Sequence, residues 1–267
     1  MVRLLRIEWM KVKNYRTFWI LLAICIISMP SFNYVVYDLT DNSFPKVQGK
    51  SIFGSPFAFP NVWQTVSWNS SLLLLIPAVL IITLTTNEFT YKTHRQNIID
   101  GWSRSQFINV KLVEVFLLSL LLTLVVIITG LIFGYLLNPV PANTNIFRNT
   151  NAIGYFFIEM LSYSMIAFVL AMFIKRAGLA MGAFFIYLII EQFIVALLRE
   201  KYKLHFVNYF PEEVTDMLIL NPYVGRFMNK DRLAMYQNHV PAYLIVSFIY
   251  LFIYSFISSW RFRKKDL

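Results

Sequence analysis

Two carboxylates, Glu159 and Glu191, stand isolated inside long apolar runs of this 267-residue chain. An ionisable group in such a run is costly to bury and should face a cavity or a partner, which makes the pair the first candidates for an ion or substrate pathway. Each lies about seven residues from the outer end of its run, roughly 10 Å deep at the helical rise of ~1.5 Å per residue. Their shared depth makes pairing feasible. The competing reading is a structural hydrogen bond, or a carboxylate reaching toward Arg148 or Arg199. Other chemistry has little support. The Gly-Lys-Ser at Gly49 to Ser51 has Phe44 where a phosphate-binding loop needs its first glycine. His94, His205 and His239 are scattered, HExxH and Gly-x-Ser-x-Gly do not occur, and Cys25 is the single cysteine. The sequence thus offers no catalytic residue, no metal site and no cofactor bound by this chain.

Composition explains what surrounds the two acids. Of the residues, 58% are apolar and 14% charged, with a mean hydropathy of +0.58. Soluble domains are about 45–50% apolar and about 25% charged, so a membrane protein is expected. The formal charge of +10 comes from basic residues at the ends of apolar runs. Topology and anionic lipid account for it, and no nucleic-acid partner is expected.

A crossing helix needs about 20 apolar residues. Six runs reach that length, at 17–37, 64–86, 112–137, 153–174, 179–198 and 241–260, with Pro30 and Pro77 as tolerated kinks. The fold class is therefore all-α, one polytopic membrane domain of six transmembrane helices. With the N-terminus inside, 15 Lys and Arg lie on the inner side and nine outside; five acids inside leave +10, and seven outside leave +2. Both termini are expected in the cytoplasm. No small-x-small cleavage site follows Ser28, so the first run is kept as a span. Residues 1–16 place Leu5, Trp9 and Val12 on one helical face and Arg3, Arg6 and Lys13 on another, the pattern of an interfacial helix. An unstructured basic flank is the alternative.

The segments between spans carry their own signals. Over 88–111, Gly101 can end a short helix begun near Glu88, and Ser103 with Gln106 makes a capping box that opens the next. That reads as a rigid elbow of helix, glycine turn and helix, with a solvated basic loop as the alternative. Residues 38–62, with Pro45, Gly49, Gly54, Pro56 and Pro60 among Ile52, Phe53, Phe57 and Phe59, read as an irregular apolar segment. Within 199–240, PEEVTDMLILNP reads as an amphipathic helix of about ten residues, started by Pro211, stopped by Pro222 and apolar at Val214, Met217 and Leu218. Gly130 with Gly134 and Gly178 with Gly182 mark seams where helices approach closely. The first seam is expected within the chain, and the second is open to a dimer contact.

This layout resembles the permease subunits of type-two ABC exporters. Its residue-level likeness runs from Glu88 through Lys92-Thr93, Ile98-Ile99, Ser103-Arg104 and Phe107 to Lys111, with Gly101-Trp102 where many members have a proline. The resemblance implies that the elbow is a coupling helix docking on separate ABC ATPase subunits through Glu88, Arg95, Ile98, Ile99, Gly101, Ser103 and Arg104. It also implies a second permease copy, as a homodimer, with ATP and Mg bound by the ATPase. The outer helices before the last span would help gate the pathway. An integral protein of the bacterial cytoplasmic (inner) membrane follows, closest in kind to permeases of peptide-antibiotic resistance and of cation or lipid export. Two other classes stay open: an ion-coupled secondary carrier, and a non-transporting membrane scaffold for a secretion or motility machine.

Overall fold

A computed structural model describes residues 2–43, 46–47, 50–51, 54–99, 101–137, 145–225 and 227–264. All six apolar runs are helical. Five helices are each long and apolar enough to cross a membrane: α2 (Arg16–Asp38), α6 (Arg104–Leu136), α7 (Asn151–Ile174), α8 (Ala177–Glu200) and α11 (Lys230–Lys264). The remaining run is a broken pair, α3 (Val62–Ser71) and α4 (Leu75–Thr90), bent by 50°. The break falls just ahead of Pro77. A proline lacks the N–H and its ring excludes helical bonding by the carbonyl four residues back, here that of Leu73. The chain therefore breaks over 72–74, and Pro77 sits in the first turn of α4, where a missing N–H costs nothing. Pro30 is carried inside α2 without a break in the helix.

Helix α7 is the hub, packed against α3, α4, α6, α8 and α11. Its most apolar window is 61% buried, against 17% for α8, whose Ile186, Ile189 and Phe193 face outward. An all-round apolar helix belongs at the centre of such a bundle, and Phe156, Met160 and Phe168 are fully buried there. Both chain ends reach the corner between α5 (Thr93–Ile99) and α6. Lys11 of α1 (Val2–Lys13) donates to Asn97, and the Phe262 ring stacks on Phe107 with centroids 4.8 Å apart. The α7–α8 turn is there too, with Lys175 Nζ 4.8 Å from the Phe89 ring centre. The termini, the elbow and that turn thus share one end of the bundle, and the long connections lie at the far end.

Several local expectations need correction. Helix α1 turns Leu4, Leu5, Glu8 and Val12 toward the bundle, while Trp9 is half exposed and meets the Trp19 ring edge-on at 6.1 Å. The seam at Gly130 and Gly134 receives aromatic rings rather than a helix backbone. A Cβ on Gly130 would lie 2.9 Å from the Trp63 ring, and one on Gly134 would strike Phe59. Gly178 and Gly182 face open space. The segment after α2 holds a two-residue antiparallel ladder, Lys46–Val47 with Lys50–Ser51, and buries Phe57 and Phe59; Pro45, Gly49, Ile52 and Phe53 lie outside the described residues. The ten-residue helix expected after Pro211 shrinks to α9 (Glu213–Asp216), and Pro222 opens α10 (Pro222–Gly225) instead of only stopping a helix. Val214 and Leu218 are buried with Ile158 and Tyr243, so the apolar face is real though the helix is short. Helix α11 begins at Lys230 and encloses Pro241, because the polar stretch ahead of the last apolar run is helical as well.

Candidate functional site

The elbow is assembled from three local devices. Lys92, at φ +56°, ends α4 in the left-handed region, so the short helix begins at Thr93 and Glu88 belongs to the last turn of α4. At the other end of α5, Gly101 N–H donates to Ile98 O and Trp102 N–H to Asn97 O, both at 3.0 Å, with Gly101 at φ +94°. That paired pattern is a Schellman end, which favours glycine at the left-handed position. Next, Ser103 Oγ accepts from Gln106 N–H at 3.1 Å while Gln106 Oε1 accepts from Ser103 N–H at 2.9 Å, the capping box anticipated from sequence.

Beneath the elbow lies a buried ionic node. Lys111, 4% exposed, donates to Glu8 at 2.6 Å, Glu88 at 2.9 Å and Glu114 at 3.0 Å. Lys11 donates to Glu8 at 2.7 Å and to Asn97 at 3.1 Å, and its ammonium is 3.6 Å from Glu88. The Thr93 hydroxyl donates to Glu88, and His94 Nδ1 lies 2.8 Å from the Glu88 carbonyl oxygen. These contacts fasten α1, α4, α5 and α6 to one another, so a push on α5 is passed to three other helices. The residues expected to dock a partner therefore divide. Glu88 is buried inside the node and cannot meet another protein; it positions the elbow. Ile98 is half-buried against the core, whereas Ile99 is 77% exposed. Arg104 is half-buried, Gly101 and Ser103 are exposed, and the Arg95 side chain lies outside the described residues. Glu8, Lys11 and Glu114 were not picked out from sequence. The available signal was that Glu8 is the single acid among the first 37 residues, three positions before Lys11.

The far end gathers the two intramembrane acids around the segment between α8 and α11, yet does not join them to each other. Glu191 Oε1 accepts from the backbone N–H of Glu212 at 2.7 Å and of Glu213 at 3.2 Å, satisfying free donors at the start of α9. This is the structural hydrogen bond that stood as the competing reading. Arg199 pairs with Glu213 and donates to Asn208 at 2.9 Å, and Arg148 lines a separate cleft with Gln64 and Tyr236. Glu159, 3% exposed, has Oε2 without a hydrogen-bond partner and lines an open cleft of about 390 Å³ together with Trp68, Tyr163 and Asp216. Tyr163 donates its hydroxyl to Asp216 Oδ1 at 3.1 Å. Burial, and then the charge on Glu213, push the Asp216 carboxyl up to about 7. Burial also drives Glu212 well above the usual carboxylate range, with the charge of Asp216 adding to it, and neither Glu212 carboxyl oxygen has a partner. Among the described residues, no group of three or more His, Cys, Asp or Glu is arranged to hold a metal ion.

The model of one protein family, described as protein of unknown function (DUF2705), matches residues 18–267. No curated protein matches the chain.

Proposed function

The chain belongs to the DUF2705 family of proteins of unknown function, and from that premise we propose that it is the membrane-spanning permease subunit of an ABC exporter. The observation that carries this reading is the elbow: an exposed aliphatic, Ile99, on a short helix closed by a Schellman turn and clamped to three other helices by the Lys111 node. A surface meant to transmit force has to be both accessible at its tip and rigid at its root. An apolar side chain held out at a polar corner has no role in the bundle, and it suits burial in a partner's groove. The likeness to type-two exporter permeases then supplies the partner, a separate ATPase that binds ATP and Mg.

In this reading the elbow and both termini face the cytoplasm, in keeping with the bias of Lys and Arg toward that side. Two copies of the chain work with two ATPase subunits in the cytoplasmic membrane of a bacterium. The outward-facing Gly178 and Gly182 leave room for the second copy, since nothing among the described residues fills the space beside them. The test is co-purification with a co-expressed ATPase encoded beside this chain. Ile99→Asp should abolish the association while leaving the level of folded, membrane-inserted protein unchanged. Wild-type recovery of the ATPase by that variant would move docking elsewhere. A complex that forms but shows no substrate-stimulated hydrolysis would favour a membrane scaffold instead.

A further inference from the structure

The far-end acids differ in how each is satisfied. Glu213 takes Arg199, the cation of the one ion pair in that region among the described residues. Glu191 takes two backbone N–H groups. Glu212, buried with neither donor nor counter-charge among the described residues, is accommodated as the neutral acid. Glu159 and Asp216 remain, lining the same cleft with their carboxyls in contact and Ser71 beside Glu159, and the Oε2 of Glu159, on a residue 3% exposed, is buried and yet accepts nothing. A buried acceptor left empty is costly, and what completes it must bring a donor. Beside a second acid, that donor gains most if it also carries positive charge.

The walls narrow the class of donor. Trp68 and Tyr163 line the cleft, and aromatic faces attract cations most strongly where water is excluded. Leu72 and Leu75 also line it, and both remain 37–51% exposed, so the opening is apolar. A small hydrated metal ion suits neither the aromatics nor the leucines, and no cluster of metal ligands is present among the described residues. We propose that this cleft binds an organic monocation, with an ammonium group held by the Glu159 and Asp216 carboxyls against Trp68 and Tyr163, and an apolar chain leaving past Leu72 and Leu75. The site stands on its own residues and does not depend on an ATPase docking at the opposite end.

The experiment uses the full chain in nanodiscs of phosphatidylglycerol, a lipid without an ammonium group, titrated calorimetrically with octylammonium; octanol is the uncharged control. Saturable binding of octylammonium and none of octanol is expected. Glu159→Gln and Asp216→Asn should each weaken it by about tenfold or more, since each removes a desolvated charge partner. The wild type gives a second reading that does not depend on variants folding: dicyclohexylcarbodiimide labelling of Glu159, followed by peptide mass, should slow when octylammonium is present. Added phosphatidylethanolamine separates two sources of the same chemistry. Competition identifies a lipid amine as the occupant, and unchanged affinity identifies a free cation. Absence of both saturable binding and protection overturns the site, as does undiminished affinity in Glu159→Gln.

Discussion

At the elbow end, Glu88 is buried between Lys111 and Lys11, whereas at the far end Glu159 is buried just as deeply and no ion pair among the described residues reaches it. Both ends take carboxylates out of water, which is expensive, and they meet the expense differently. The elbow node sets two ammonium groups among three carboxylates at 2.6–3.6 Å and uses hydroxyl and amide groups for the remaining bonds. The far end relies on a helix start for Glu191 and a single arginine for Glu213, and among the described residues no cation pairs with Glu159, Glu212 or Asp216. The difference separates a clasp from a site. A matched node is complete within the chain and holds helices in place, while an unmatched one is complete only with a proton or a ligand, and local rules are broken in this way mostly where function requires it.

The sharpest way to break this comparison is to remove one charge from each end. Lys111→Met takes from Glu114 the one ion pair it makes among the described residues and leaves Glu8 and Glu88 to share Lys11, and orphaning a buried ion in this way costs about 3–5 kcal/mol. Glu159→Gln replaces a carboxyl that no ion pair among the described residues reaches by an amide of the same shape, and should cost little. Thermal midpoints of the detergent-solubilised protein, read by size-exclusion fluorescence, should therefore fall steeply for the first variant and hardly for the second. Equal losses would mean that the far end is as tightly matched as the elbow.

The same contrast shows how much could be read in advance. The spans, the capping box at Ser103, the turn at Gly101 and the buried face of Val214 and Leu218 all depend on residues within a few positions of each other, where periodicity and backbone preference decide. The place of Glu159 and Glu191 inside long apolar helices was legible because the runs that carry them are continuous. What they meet was not, since Glu212 and Glu213 against Glu191, and Asp216 beside Glu159, come from the segment after α8. The node joins positions 23 and 103 apart, and nothing local indicates that Lys111 will meet Glu88 and Glu8. Glu88 was therefore read as a docking residue, on a family pattern, when its burial makes it part of the root. Helix α9 was read as longer because Pro211 and Pro222 bracket a favourable sequence, and only the structure shows Glu191 capping its start.

A second probe is pH. Asp216 is raised from an ordinary value of 3.8 to about 7. The folded protein therefore holds a proton between those values that the unfolded chain has lost. The contribution to stability is fully present below about 4 and is lost as pH rises through about 7. The groups facing Asp216 among the described residues are Glu213 on its own helix, Glu212 just before it, Tyr163 and Glu159 from α7, and Glu191 and Gln192 from α8, none of them a cation. Melting of the wild type between pH 5 and 8 should thus show a decline that Asp216→Asn flattens, with the substitution mattering most at the alkaline end. A variant that instead steepened the decline would mean that the ionised Asp216 is the stabilised form and that a cation, not a proton, already balances it.

The smallest effect expected belongs to the elbow's cap and sharpens the distinction between root and tip. Ser103→Ala removes the acceptor for Gln106 N–H and should cost about 1 kcal/mol, the usual value for losing such a cap. Because Gly101 closes α5 independently and Lys111 anchors α6 two turns further on, the loss should stay local. Hydrogen exchange should accelerate over the first turn of α6, residues 104–107, while the amides of α9 at the far end keep their wild-type rates. Gln106→Ala, which removes only the reciprocal bond to Ser103 N–H, should have a weaker effect in the same turn. If Ser103→Ala loosened α1 and α4 as much as Lys111→Met does, the rigidity of the elbow would reside in its helix cap, and the ionic node would lose its standing as the root.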